Sequence, residues 1–423
     1  MIFYSKGSPA ETLTRKDLKS GLHLALRQLG KREKVLVVPP DITRVHSQAG
    51  ALTEFAWEYY KEKLTDVLPA IGTHYPMTRE EIQSMFGRVP ASLFRVHEWR
   101  KGLSTVADVP SSYVREVSEG VVDYNIPIQI DRLLVEGNHD LILSVGQVVP
   151  HEVIGMANHN KNVFVGTGGA EVINKTHFLG AAYGMERIMG RAKTPVRAVL
   201  NYASDHLTRR LPIVYVLTVI GRDEQGKLVV RGLYIGDDVE CFERAAELSL
   251  KVNFELLEKP LKKVVVYLDP LEYKSTWLGN KAIYRTRMAI ADGGELIILA
   301  PGLAQFGEDA GIDRLIRKYG YVGTPKVLGL VKDNEDLQHS LSSAAHLIHG
   351  SSEGRFTVTY CPGKMSKIEI ESVSLRYAAL FSMLERYNPN RLKDGFNRLK
   401  DGEEVFFVSN PALGLWSSRE RFL

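Results

Sequence analysis

Two periodicities alternate along this chain. Short apolar runs rich in valine, isoleucine and leucine are separated by longer stretches whose apolar residues return every third or fourth position. The first kind reads as strands buried on both faces, the second as amphipathic helices packed over them. "KVLVVPPD" from Lys34, "VLPAIGTH" from Val67, "DLILSVGQVV" from Asp140 and "IVYVLTVIG" from Ile213 are the strands expected in the first part of the chain. Between them "SQAGALTEFAWEYYKEKL" has helical spacing, and "TREEIQSMF" opens with Thr78 and Glu81 in the positions of a capping box.

A charged, proline-containing segment, "NFELLEKPLKK", precedes a second series. It runs strand "KVVVYLDP", helix "GNKAIYRTRMAIAD", strand "GELIILAPG", strand "KVLGLV", helix "EDLQHSLSSAAHLIHG", strand "RFTVTYC" and helix "IEIESVSLRYAALFSMLERY". The pattern predicts two α/β domains with mainly parallel sheets, 1–260 and 261–405, with the active site in the cleft between them. The final strand-like "EEVFFVSN" fits either domain, and residues 406–423 are assigned as a tail returning to the N-terminal one. "RLKDG" occurs at Arg391 and at Arg398, an echo too short for a repeat array, which reads as a duplicated surface helix or turn.

Composition narrows the function classes. With 44% hydrophobic and 25% charged residues the chain has the make-up of a globular protein. A net charge of +4, with both signs interspersed, gives no basic stripe for nucleic acid. The N-terminus lacks a basic segment followed by an apolar one, and no apolar run is long enough to span a bilayer, so a cytoplasmic protein without a membrane partner is expected. Only Cys241 and Cys361 are present, far apart, which argues against a disulfide scaffold or a cysteine-rich metal site.

Candidate chemistry collects where the early strands end, the place at which open α/β sheets bind ligands. "PPDITR" offers Asp41 and Arg44, "GTHYPMT" offers His74, and "VVPHEVIGMANHNK" offers His151 and then Lys161. Histidine titrates near neutrality, so a pair flanking a substrate can exchange acid and base roles; a capping or core histidine is the plainer alternative for each. His151, His159 and His177 fit no zinc spacing. In "VGTGG" the turn offers backbone N–H groups, Gly168 among them, to a cofactor phosphate, against the commoner use of such glycines in an ordinary turn.

Taken together and in order, "PPDITR", "GTHYPMT", "VGQVVPH" followed by Lys161, then His177, and Lys281 with "GGELIIL" twelve residues on, resemble the nickel-dependent lactate racemase family of 2-hydroxyacid racemases and epimerases. The resemblance spans most of the chain. It implies a nickel pincer nucleotide, a pyridinium mononucleotide (pyridinium-3-thioamide-5-thiocarboxylate) supplied by cofactor-biosynthesis enzymes and joined covalently through Lys161. It further implies His177 as the protein's nickel ligand, His74 and His151 as the catalytic pair, and Asp41 as a residue that contacts the cofactor or orders Arg44. Arg44 and Lys281 would place a small-molecule 2-hydroxyacid and its carboxylate. The implied reaction inverts C2 through transient oxidation, with proton-coupled hydride transfer to and from the cofactor ring.

The chain also departs from that pattern. Asn158, His159 and Asn160 stand where lactate racemases have a Ser-Gly-Gly-like segment, and Leu278 beside Trp277 stands where they carry a substrate-contacting glutamine. Read as substrate contacts, Asn158, His159 and Trp277 point away from lactate and toward a larger acid such as an aldonate. Two other classes remain open at this point. A nicotinamide-dependent 2-hydroxyacid dehydrogenase lacks its Gly-x-Gly-x-x-Gly fingerprint here, and a noncatalytic sugar-acid binding protein would bind without interconverting isomers.

Overall fold

A computed structural model describes residues 1–206, 211–412 and 414–422. The chain forms two compact units, the first of Met1–Leu179 and Met189–Asn253, the second of Gly180–Ile188 and Phe254–Leu423. Both are α/β.

The first unit is built on β1 (Ile2–Gly7), β2 (Val35–Val38), β3 (Leu64–Val67), β4 (Leu141–Gln147), β5 (Ile213–Arg222) and β6 (Leu228–Gly236), in the spatial order β1-β6-β5-β4-β2-β3. The run from β3 to β5 is parallel, while β6 and β1 extend it antiparallel. Every residue of β2 and of β4 is buried, as the unbroken apolar runs require. Helices α1 (Arg15–Leu29) and α2 (Ala49–Tyr60) turn Leu18, Leu22, Leu26, Leu52 and Phe55 onto this sheet. The expected capping box is present, with Glu81 N–H donating to Thr78 Oγ1 at 3.2 Å and Thr78 N–H to Glu81 Oε2 at 2.8 Å.

Further on come α3 (Ala170–Tyr183), α4 (Pro195–His206) and α5 (Val239–Asn253). Two strands, Leu103–Val109 and Ile126–Asp131, form a separate antiparallel pair. Topology then singles out one place in the sheet. From β2 the chain passes to β3 on one side and next to β4 on the other, so the loops after β2 and β4 diverge around a crevice.

In the second unit β7 (Leu261–Tyr267), β8 (Ile290–Ala300), β9 (Thr357–Pro362), β10 (Arg376–Tyr377), β11 (Gly395–Arg398) and β12 (Glu404–Val408) lie in the order β10-β9-β8-β7-β12-β11. Only β11 is antiparallel to its neighbour. The described part of the 406–423 segment pairs within this unit: β12 lies against β7, and Leu415–Ser418 runs parallel to Phe254–Leu257. The partner of Leu415–Ser418, Phe254–Leu257, lies within the 1–260 stretch of the sequence reading but in the second unit of the structure.

Several sequence expectations shift. The strand expected from Val67 ends there, because Pro69 has no N–H to continue the ladder and "LTDV" pairs instead. "KVLGLV" is part of a helix, Thr324–Asp333, with Pro325 in its first turn; the buried Val327 and Val331 are four apart, a helical spacing mistaken for a strand run. The long helix expected from Ile368 is broken into Lys367–Ser372, β10 and Leu380–Arg386. Each copy of "RLKDG" ends in a positive-φ glycine, Gly395 at 94° at the start of β11 and Gly402 at 87° in the turn between β11 and β12.

Candidate functional site

The strand ends of the first unit carry a linked pair. Asp41 follows β2 and caps a 3₁₀ segment, Ile42–Ser47, that is kinked at Arg44, its Oδ1 accepting from Thr43 N–H at 3.1 Å and from Thr43 Oγ1 at 2.5 Å. Its other oxygen, Oδ2, takes the Nδ1 proton of His74 at 2.6 Å. The backbone brings the two together: Ala70 N–H donates to the Pro39 carbonyl at 2.7 Å, and His74 N–H closes a turn onto Ile71 at 3.0 Å. Asp41 is 5% exposed, whereas the His74 side chain is half exposed. Burial alone would raise the Asp41 pKa; the hydrogen bond and charge of His74, with Thr43 and Arg44, outweigh it and hold the carboxylate below its ordinary value.

His151 is presented differently. It sits after β4 in a two-residue antiparallel pair, Pro150–His151 with Gly155–Met156, and is buried. Its Nδ1 accepts the Val153 N–H at 3.1 Å. In the neutral ring the proton then lies on Nε2. His74 has the opposite assignment, because its Nδ1–H is committed to Asp41 and Nε2 keeps the lone pair. His74 therefore presents a lone pair at Nε2, whereas the neutral His151 presents an N–H there, a hydrogen-bond donor that acts as an acid only once its ring is charged.

Lys161 follows on a short helix, Asn160–Phe164, in a crowded electrostatic setting. Burial lowers its pKa to about 8; the charges of Arg44 and Arg197 push the same way, against Glu152 and Asp41. A substantial fraction of the amine is consequently neutral, and nucleophilic, near pH 8. His177, on α3, feels Lys161 and Glu152, and burial followed by the Lys161 charge pulls it down to about 4. Its Nδ1–H donates to the Ile173 carbonyl one turn back at 2.6 Å, which leaves Nε2 as the lone-pair nitrogen. A neutral imidazole with one nitrogen tied to a carbonyl is the usual form of a metal-ligating histidine.

Among the described residues no group of three or more His, Cys, Asp or Glu side chains is gathered to hold a metal. A nickel ion here would take most of its ligands from a bound group, with His177 Nε2 as a protein donor. Lys161 and His177 fit such a group by their chemistry: one offers an amine, the other an imidazole lone pair.

The remaining sequence candidates are placed otherwise. Gly168 was expected to offer its N–H to a phosphate, but that N–H donates to Val165 at 3.2 Å, and those of Gly166 and Gly169 to Lys161 and Gln129. A Cβ at Gly168 would collide with the Phe164 carbonyl, so close packing accounts for this glycine. Its own carbonyl meets His97 Nε2 at 3.1 Å, while His97 Nδ1 reaches Asp131 at 2.9 Å. Asn158 and His159 were expected to face substrate. Instead His159 is 3% exposed and packed against Tyr215 and Phe242, with ring centroids 3.8 and 5.3 Å away. Asn158 is buried with its amide nitrogen against Gly146 and its Oδ1 accepting the His159 N–H at 2.8 Å. Both adopt positive φ, 67° and 59°, a strain of about 1–3 kcal/mol per residue.

In the second unit Lys281 begins the helix Lys281–Thr286 and its Nζ lies 5.5 Å from the Tyr273 ring centroid. Trp277 lies against His346, with centroids 4.6 Å apart. Three residues near the first-unit site were missed from sequence. Thr43 and Glu152 lie inside quoted motifs and carried a signal in their adjacency to Asp41 and His151. Arg197 carried none, because "PVRAVLNYASDH" reads as an amphipathic helix with a surface arginine.

Comparisons with known proteins bear on this arrangement. Residues 15–187 match the family model of the lactate racemase N-terminal domain. A crystal structure of a protein from Thermotoga maritima is 27% identical and superposes with a TM-score of 0.80, over 97% of this chain and 99% of that one. The lactate racemase apoprotein from Thermoanaerobacterium thermosaccharolyticum is similar over 98% of this chain and 94% of its own, with a TM-score of 0.68; at 16% identity the likeness is one of fold. Comparison with curated proteins gave no significant match.

Proposed function

We propose that this chain, whose residues 15–187 match the lactate racemase N-terminal domain, inverts C2 of a 2-hydroxycarboxylic acid, with His74 and His151 as the proton-transferring pair and Lys161 and His177 as the holders of a nickel pincer nucleotide. The observation that carries the reading is the Asp41–His74 pair at a strand end: the buried carboxylate holds Nδ1–H at 2.6 Å and leaves Nε2 of a half-exposed ring as a proton acceptor. Inversion requires a hydroxyl proton to be removed in one half of the reaction and returned in the other; His74, backed by Asp41, takes it at Nε2 in one direction, and His151 returns one from its charged form, the roles exchanging in reverse.

When bound, the cofactor supplies hydride acceptance and return at C2, chemistry that no side chain offers. The protein's share is positional. Asp41 fixes the His74 ring and stabilises it when it becomes charged, as a buried carboxylate does for a catalytic base. Thr43 orients Asp41 from the same turn, and Arg44 is the cation available there for a carboxylate. Lys281 and Trp277 enter from the resemblance alone, as substrate contacts. Burial keeps the Lys161 amine and the His177 imidazole ready to donate lone pairs. An aldonate is not carried forward as the substrate, since the Asn158 and His159 side chains on which it rested are spent on packing.

The test uses protein produced together with cofactor-building enzymes and a panel of C2-deuterated 2-hydroxyacids, from lactate to aldonates, in ordinary water. Inverted product that keeps its C2 deuterium supports the reading. Inversion with deuterium washed out, or a net 2-oxoacid formed in step with added nicotinamide cofactor, contradicts it.

A further inference from the structure

The segment that leads into Lys161 is fastened to α4 at every second residue. Thr194, just before that helix, donates Oγ1 to the Ile154 carbonyl at 3.0 Å. Arg197 donates Nη2 to the Met156 carbonyl at 2.6 Å, and both terminal nitrogens lie 3.3 Å from the Asn158 carbonyl. Its Nη1 also donates to Oδ1 of Asn160, whose amide nitrogen runs on to Asn201 at 2.8 Å and Ser204 at 3.2 Å. Residues 156, 158 and 160 are thus held from α4 and residue 154 from the residue that precedes that helix, and the next residue is Lys161.

Arg197 is an expensive way to build such a fastening. It is 2% exposed, and the acceptors it reaches are carbonyl and amide oxygens, with no carboxylate among its described partners. Its Nε has no hydrogen-bond partner among the described residues, and Phe242 lies under the guanidinium at 4.0 Å. Burial draws its pKa down to about 9, with Tyr215 acting weakly the other way. A buried cation without a counter-ion is a poor stabiliser, and an apolar residue of similar volume would serve the core as well or better. What the fork supplies is geometry: a rigid planar donor set that gathers three acceptors spread over five residues, two of which flank or occupy strained positive-φ positions.

We propose that Arg197 is a positioning residue for Lys161: its guanidinium holds the strained 156–160 segment in the one shape that presents the Lys161 amine for covalent attachment. Arg197 lies beyond the stretch matched by the family model, so the assignment comes from the hydrogen-bond pattern of this chain. It rests on the reading of Lys161 as the tether, and the experiment separates the two.

The cofactor-free full chain is acetylated with an N-hydroxysuccinimide ester, and the rate at Lys161 is read by peptide mass spectrometry against the exposed Lys400. In Arg197→Met and Arg197→Ala the Lys161 rate should fall roughly ten- to a hundredfold, the loss expected of a displacement near 1 Å. Millimolar methylguanidinium should restore most of it in Arg197→Ala, and methylammonium should not. Asn160→Ala, which removes one acceptor and leaves the arginine in place, should give a smaller, severalfold loss, and it decides the matter if the arginine variants do not fold. Unchanged Lys161 acetylation in the folded variants, or equal rescue by both amines, overturns the proposal. Arg197-dependent acetylation without a cofactor adduct on the wild type would leave Arg197 as the positioning residue and remove the tether; an adduct formed equally by Arg197→Met would do the reverse.

Discussion

His74 and Lys161 prepare their nitrogens by opposite means within one domain. His74 is half exposed and depends on a charged partner, with Asp41 at 2.6 Å holding its ring and its tautomer. Among the described residues Lys161 has no carboxylate as an ion-pair partner; burial and two neighbouring cations hold its pKa near 8, against the opposing pull of Glu152 and Asp41. The difference teaches which part of the surroundings each group depends on. A base that becomes charged during the reaction needs a counter-charge to stabilise that charged form, whereas a residue that must react once as a neutral amine needs desolvation.

The comparison can be broken at several points. Lys161→Ala should have the largest effect: the covalent adduct is lost and the turnover of cofactor-loaded protein falls on the order of 10³-fold or more, read by intact mass and chiral product analysis. Asp41→Asn attacks the other side. It keeps the shape but leaves His74 without its charge partner, and kcat should drop roughly 10²-fold with far less change in KM, since general base catalysis is worth about that much or more. Lys161 should still form its adduct in this variant.

Smaller effects sharpen the contrast. Thr43→Val deletes the hydroxyl that bonds Asp41, and should cost about 1 kcal/mol in the activation barrier, roughly fivefold in kcat. Stability against pH offers an activity-free check. The folded pKa of Asp41 is depressed, so its contribution is present above the ordinary carboxylate value and is lost as pH falls through the lower folded one. Thermal melting of Asp41→Asn should therefore show a shallower loss on the acid side than the wild type, with the curves differing most at neutral pH.

How much of this was legible in the sequence follows from the same physics. The rim residues could be found because strand ends announce themselves: an apolar run stops, a proline or glycine follows, and Asp41, His74 and His151 are the next polar groups. The antiparallel extension by β1 and β6 was missed because "IFYSKG" is too short and half polar to stand out. Asn158 and His159 misled for another reason. Polar residues beside a candidate lysine look like ligands in one dimension, and only the backbone at positive φ reveals that they turn inward, toward Gly146 in one case and Tyr215 in the other. Arg197 was invisible because its partners are main-chain carbonyls, and a carbonyl leaves no trace in the identity of the residue that bears it.

Covalent attachment at Lys161 is the step on which the proposed chemistry depends most directly. Intact-mass measurement, paired with nickel analysis, on chain produced with the enzymes that build the cofactor should show one covalent nucleotide adduct and about one nickel per chain, the stoichiometry of a single four-coordinate site, both absent from Lys161→Ala. A wild-type chain that stays at its bare mass under conditions that load a known lactate racemase would contradict it.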